Sequence, residues 1–296
     1  MKTISDSKAD FRRKPEWLKI KPEWLKIKLP KGFKTKQVVG LLNEKGLHTI
    51  CSSGMCPNRA ECWGAGTATF MIGGNICTRN CRFCNVTSGH PLPLDSQEIE
   101  DIADSVKELN LKHVVITSVD RDDLPDCGAN HWAAMIRQLH VKCPGVTMEV
   151  LIPDFKGKHE LIDIVMAENP DIISHNLETV RRLTPDVRTF ATYDNSLGVL
   201  KYMAENGIRT KSGIMLGLGE TRDEILATMD DLLEVGCRIM TIGQYLQPTK
   251  DNYPVREYIH PDVFAEYGRI GREKGFLHIE SAPMVRSSYH AEKHVL

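Results

Sequence analysis

From about residue 68 onward, short β-branched runs alternate with amphipathic helical stretches, and this alternation restricts the fold more than any other feature. Candidate strands cover residues 68–72, 113–118, 146–152, 171–174, 208–215 and 238–245. After the first, Ser96 is placed to cap a helix whose apolar side is Ile99, Ile102, Ala103, Val106 and Leu109. Thr221 and Glu224 have capping-box spacing ahead of a helix over 225–235, which Gly236 is placed to end. Further helices fit 131–141, 158–168, 195–206 and 262–274. Six strands each followed by a helix imply a parallel sheet with right-handed crossovers. An open doubly wound sheet ranks lower, because no GxGxxG turn follows the second strand. The expected fold is α/β: a partial (β/α)6 TIM-like barrel over 67–275, with an N-terminal extension (1–66) and a C-terminal tail (276–296).

Six of the nine cysteines fall in two triplets, Cys51-x4-Cys56-x5-Cys62 and Cys77-x3-Cys81-x2-Cys84. An odd count discourages a complete disulfide framework, and a chain of 296 residues can bury a core without staples. Cys127, Cys143 and Cys237 are scattered and read as ordinary thiols. The second triplet follows the strand 68–72 and the pair Gly73-Gly74, which places it at the C-terminal mouth of a barrel, where βα-loops carry chemistry. Three thiolates on one loop can hold three irons of a [4Fe–4S] cluster and leave the fourth iron open to a cofactor. A zinc site would need a fourth ligand, and zinc ribbons offer a second CxxC pair instead. Ferredoxins supply four cysteines per cluster, whereas each triplet here supplies three.

The Cys77/Cys81/Cys84 spacing resembles the radical S-adenosylmethionine (SAM) superfamily. The pair of triplets, fourteen residues apart, resembles the lipoyl synthase family within it. That resemblance extends from about Trp17 to the C-terminus, through Thr117–Leu124 (TSVDRDDL), His175–Val180 (HNLETV), Lys211–Glu220 (KSGIMLGLGE), Gln244–Thr249 (QYLQPT) and Arg286–Ala291 (RSSYHA). The CX4CX5C triplet and the RSSYHA tail are its specific elements; a biotin-synthase-like enzyme would need neither. The resemblance implies two [4Fe–4S] clusters and SAM as cofactors. One cluster would sit on Cys77, Cys81 and Cys84, its open iron binding SAM and its electron yielding a 5′-deoxyadenosyl radical. The auxiliary cluster would sit on Cys51, Cys56 and Cys62, with Ser288 as fourth ligand, and would be consumed as sulfur donor. The implied substrate is an octanoyl chain on a lipoyl carrier domain or protein, with sulfur inserted at C6 and C8. An electron donor such as ferredoxin or flavodoxin is implied as a further partner.

Unactivated C–H bonds yield to no side-chain acid or base, which fits the lack of a triad or carboxylate pair; no catalytic residue is expected beyond the cluster ligands. For SAM itself, Asn176 and Glu178 follow a strand end and can hydrogen-bond the cofactor, with a helix cap as the plainer role for Asn176. Gly217 and Gly219 would let backbone approach a ligand, or simply form a turn. Asp120, Arg121 and Asp122 are candidates for the mouth, while His175 and His290 read as structural.

Net charge is −1, but residues 1–36 hold twelve Lys/Arg against four Asp/Glu. Such an arm suits an acidic partner, including a carrier domain, or merely a solvated leader; no basic–aromatic motif points to nucleic acid. KPEWLKI occurs twice over 14–27, too briefly for a coiled coil and broken by Pro15 and Pro22; Trp17 or Trp24 is placed to pack the arm onto the body. No run of about 18 apolar residues spans a membrane. The N-terminus offers no signal-peptide core, and Asp6 and Asp10 argue against a transit peptide, so a cytoplasmic protein is expected; a monomer is expected as well.

Overall fold

The computed structural model describes residues 22–25, 33–64 and 69–295. Most of the basic arm, Trp17 and Ala68 lie outside them. The strands are β1 (Thr69–Ile72), β2 (Ile76–Cys77), β3 (Thr87–Ser88), β4 (His113–Ser118), β5 (Thr147–Leu151), β6 (Ile172–Ser174), β7 (Thr210–Leu216), β8 (Ile239–Gln244) and β9 (His278–Ser281). All six expected strands form, as β1 and β4 to β8. The short β2 and β3 pair in parallel and bracket the second cysteine triplet.

The main sheet has the order β1-β4-β5-β6-β7-β8-β9 and is parallel throughout. Strand order follows chain order, so each crossover turns the same way and the sheet curls into a partial barrel with β1 and β9 at its two edges. The α/β barrel class holds. The difference is a seventh strand, drawn from residues expected in the tail, with Ile239 opposite His278 and Ile242 opposite Ser281. Its sequence, HIES, has no β-branched run and all four positions are half-buried, so pairing with β8 creates a strand that composition did not announce.

β1 and β8 are buried at every position, as expected where one face meets helices and the other the barrel interior. The outer layer includes Gln97–Glu108, Ala129–Lys142, His159–Met166, Tyr193–Glu205, Arg222–Glu234 and Pro261–Lys274. Each turns an apolar stripe inward: Ile102 and Val106 on the first, Trp132, Ile136 and Leu139 on the second. The Thr221/Glu224 capping box is formed. Ser96 stands at the N-cap but makes no capping bond; the Asp95 Oδ1 accepts from the Gln97 amide at 2.9 Å instead. Asp95 thus satisfies one of the helix's orphan donors, the first amide, in place of the capping bond expected of Ser96.

The interior is not wholly apolar: Glu149, Ser174, Lys211 and Gln244 are all fully buried. Beyond β9 the chain doubles back. The Gln244 amide donates to the Pro283 carbonyl at 3.1 Å near the strand ends, and Arg209, just ahead of β7, donates to the Val295 carbonyl at 2.9 Å. The tail therefore runs from the mouth of the barrel to its base. Of the duplicated segment, Leu25 is fully buried and Trp24 stands edge-on to His260, ring centroids 5.0 Å apart.

Candidate active site

β1 leaves the sheet through Gly73 and Gly74 at φ +82° and +93°, conformations that a side chain would strain. The turn delivers Cys77, Cys81 and Cys84 to the mouth, as expected of that loop. Arg79, inside the triplet, ties it down: its guanidinium donates to Asp122 Oδ2 at 2.6 Å and Asp154 Oδ1 at 2.7 Å, and stacks over Phe190 at 4.4 Å. Asp120 Oδ1 completes the cluster of charges at 3.3 Å. From the other side, Arg82 N donates to the Val187 carbonyl at 2.9 Å and Asn252 Nδ2 to the Cys84 carbonyl at 2.7 Å. Four separate segments thus hold one short loop.

The sulfurs sit among amide donors. Cys77 Sγ accepts from the amides of Asp120 at 3.3 Å and Arg79 at 3.4 Å, and Cys84 Sγ accepts from the Val86 amide at 3.4 Å. Burial pushes the Cys77 thiol up to about 11, with Asp120 adding to the rise. Burial likewise takes Cys81 to about 12, partly opposed by Arg188, and raises Cys84. Such thiols stay protonated until a bound cation stabilises the thiolate, and the amide donors then stabilise a metal-bound sulfur. Among the described residues, no three His, Cys, Asp or Glu side chains converge as ligands of a single ion do. A cubane asks for something else, since each thiolate takes its own iron.

The three cysteines line a cavity of about 330 Å³ that also takes in Asn176, Glu178 and Arg188. Asn176 Oδ1 is buried there without a hydrogen-bond partner, while its Nδ2 donates to Glu178 Oε1 at 3.2 Å. Glu178 holds a left-handed φ of +67°, a strained backbone for a non-glycine residue. Burial raises its carboxyl, against the pull of the Arg188 charge. Gly213 backs the pair: a Cβ there would come 2.5 Å from Thr241 Oγ1 and 3.2 Å from Asn176 Oδ1. An unpaired amide oxygen, a carboxyl and a glycine-widened wall suit a polar ligand carrying donors, such as the amino and ribose groups of SAM.

Gly217 and Gly219 are not among the residues lining this cavity. A Cβ on Gly217, at φ +94°, would overlap Gln244 Nε2 and the Glu257 carbonyl, so this glycine admits a neighbouring chain segment. Gly219 backs onto Arg256. Arg121 turns away from the mouth to bind the Gly73 carbonyl and Asp123. His175 is buried between the Ile152 carbonyl and Ser196 Oγ, both at 3.0 Å.

Cys51 and Cys62 lie on two short helices, Ile50–Ser53 and Arg59–Gly64, and Cys56 on the turn between them. Thr49 caps the former through its hydroxyl, and the Cys56 amide donates back to the Cys51 carbonyl at 3.1 Å. Cys62 N donates to the Asn58 carbonyl at 2.9 Å, and Asn58 Nδ2 reaches across to the Met284 carbonyl at 2.7 Å. Tyr289 OH donates to Glu61 Oε1 at 3.0 Å. Those two bonds bracket Ser288, which lines one cavity of about 830 Å³ with Cys51, Cys56 and Cys62. Cys51, Cys56 and Ser288 also line the smaller cavity that holds Cys77, Cys81 and Cys84. Three thiols and one hydroxyl therefore line one cavity, and two of those thiols and the hydroxyl also border the cavity of the second set of three thiols. Cys127, Cys143 and Cys237 are buried elsewhere. Arg79, Asp154, Arg188 and Asn58 were not singled out from sequence; only Arg79 carried a signal, its place between two cysteines of a triplet.

A parallel partial barrel with a three-cysteine loop at its mouth defines a class, and residues 71–232 match the model of the radical SAM superfamily, to which the chain belongs. The fold resembles that of methylornithine synthase (TM-score 0.54, 12% identity, 83% of this chain and 75% of that one). It also resembles HydG, a maturase of the [FeFe]-hydrogenase (TM-score 0.57, 15% identity, 72% and 55%). Much nearer relatives are lipoyl synthases, from Treponema denticola at 62% identity over 96% of both chains and Bacteroides thetaiotaomicron at 59% over 97% and 99%. The chain is a member of the lipoyl synthase family. Its cofactors are two [4Fe–4S] clusters and SAM, and the two cysteine sets and the polar wall beside them fit those groups.

Proposed function

We propose that the two cysteine triplets divide the work of a lipoyl synthase, Cys77/Cys81/Cys84 serving radical formation and Cys51/Cys56/Cys62 with Ser288 serving sulfur supply. The overall reaction is insertion of two sulfur atoms at C6 and C8 of a protein-bound octanoyl chain. When bound, the clusters and SAM supply a 5′-deoxyadenosyl radical for each C–H bond and the sulfur that replaces the hydrogen.

The protein's own residues bind and orient. Asn176 and Glu178 hold the amino or ribose groups of SAM, and Gly213 leaves them room. Gly217 and Gly219, outside the cavity those residues line, serve the fold by seating Gln244 and Arg256. Arg79 fixes the loop between the first two thiolates of its triplet. Asn58 and Tyr289 hold the tail against the first triplet so that the Ser288 hydroxyl closes the set. A serine oxygen binds iron less firmly than a thiolate, as suits a cluster that is dismantled. The division then has a functional sense: a cysteine segment over 1–66, a radical-generating barrel from 67 that β9 extends from 275 to 281, and beyond it a tail to 296 that brings the fourth ligand.

The carrying observation is that Ser288 shares one cavity with Cys51, Cys56 and Cys62. Cys56→Ala should leave 5′-deoxyadenosine formation and abolish lipoyl product. Loss of SAM cleavage in that variant, with the other cluster intact, would contradict the division. Product should form only on an octanoylated carrier domain, at about one lipoyl group per protein.

The carrier is the partner that the activity requires. A one-electron donor of ferredoxin or flavodoxin type, a monomeric state and a cytoplasmic setting complete the proposal. Among the described residues, no helix is long and apolar enough to cross a membrane.

A further inference from the structure

Lys211 is fully buried inside the barrel and is not a cluster ligand. Its ammonium donates to Glu149 Oε2 at 2.7 Å and to the Ser287 carbonyl at 2.6 Å. Glu149 in turn accepts from Ser174 Oγ at 2.6 Å. Ser174 on β6 lies opposite Lys211 on β7, and Glu149, two residues before Leu151 on β5 and so on the same face of that strand, reaches both diagonally across the barrel interior. An interior ion pair is rarely kept for stability, because well-packed apolar residues serve as well. Here the set of Lys211, Glu149 and Ser174 has a fourth member, the Ser287 backbone carbonyl of the tail, adjacent to Ser288.

We infer that Lys211, neutralised by Glu149, is a positioning residue that fixes the tail at Ser287 and thereby aims Ser288 at Cys51, Cys56 and Cys62. The inference rests on the proposed role of Ser288 as fourth ligand of the auxiliary cluster. Asn58 holds the tail at Met284 and Tyr289 binds Glu61, both from the side of the first triplet. Lys211 reaches Ser287 from the barrel wall instead. The tail is pinned from two sides around one serine. A neutral side chain at 211 would leave the Ser287 carbonyl without that donor and the serine free to swing.

The test uses full-length protein carrying K211M, K211R or K211M/E149M, the last removing both charges so that no buried carboxylate is orphaned. Two readouts are followed besides turnover. One is amide hydrogen exchange of a peptide covering 284–291; the other is the Mössbauer spectrum of the reconstituted auxiliary cluster. K211M/E149M should keep the barrel folded and SAM cleavage intact. Tail exchange should rise at least tenfold and the auxiliary spectrum should approach that of S288A, while K211R, which retains donors, stays near the unmodified protein. Unchanged exchange and spectrum in K211M/E149M would overturn the inference. So would collapse of the whole barrel in both methionine variants, which would make the pair a core element. If S288A itself leaves the auxiliary spectrum unaltered, the ligand role fails, and tail exchange still decides the role of Lys211.

Discussion

Asn58 and Met284, at opposite ends of the chain, are joined by a 2.7 Å bond from the asparagine Nδ2 to the methionine carbonyl. Asn58 is almost wholly buried, and its own carbonyl accepts from the amide of Cys62. One side chain therefore ties the first cysteine triplet to the tail. Asn58→Ala should cost about 1–3 kcal/mol, the penalty for stranding a buried acceptor. Iron bound at the auxiliary site should fall after gel filtration, while 5′-deoxyadenosine formation persists. Equal iron loss from both sites would show that the effect is global.

Arg79 faces Asp120, Asp122 and Asp154 with its side chain almost wholly buried. Removing one partner from a buried ionic cluster leaves the others uncompensated, at a cost of about 3–5 kcal/mol. Arg79→Met should lose the radical-forming cluster on mild heating before the barrel unfolds. Lysine should rescue poorly, since one ammonium cannot reproduce the forked contacts to Asp122 and Asp154. Iron release followed against circular dichroism would separate the two events.

His175 is held neutral by burial, its pKa lowered from 6.5 to about 4, with the Arg188 charge adding to the shift. The unfolded chain therefore binds more protons between those values. The contribution of His175 is complete above about pH 6.5 and is lost as pH falls toward 4. From pH about 7.5 to about 5, unfolding free energy should drop by roughly 2 kcal/mol more than in His175→Gln. Asp154, lowered to about 2 despite its burial by its bonds to Arg79, acts in another window. Its share is complete above about pH 4 and is lost between there and 2, so denaturant titrations over the two ranges distinguish the groups.

Two glycines of similar appearance should behave differently. Gly213→Ala puts a methyl group 2.5 Å from Thr241 Oγ1 and 3.2 Å from Asn176 Oδ1 in the small cavity, so Thr241 must shift and SAM binding should weaken about tenfold in the folded fraction. Gly217→Ala combines a left-handed φ with overlap on the Glu257 carbonyl, and should cost at least about 2 kcal/mol while leaving SAM affinity unchanged in the folded fraction. Calorimetric binding and thermal melts of both variants check the contrast. Weakened SAM binding in a stable Gly217→Ala protein would return that glycine to the cofactor site.

Much of this molecule was legible in the chain before folding. Periodicity located the six strands, because a β-branched run buried on both faces leaves a compositional mark. Cysteine spacing marked the two triplets, because ligands on one short loop are close in sequence as well as in space. β9 left no such mark: HIES becomes a strand only when β8 offers it a partner edge. Lys211 and Glu149 meet because parallel strands in fixed register aim alternate side chains at a shared interior, whereas Arg79 and Asp154 meet because the loops after β2 and β5 open at the same mouth. Ser288 lines one cavity with the first triplet because the chain doubles back after β9. The sequence determined the kind of barrel and the metal-binding loops, since both depend on short-range pattern. Tertiary structure decided which distant groups face them, since the direction of a side chain inside a barrel depends on strand register and not on neighbours in the chain.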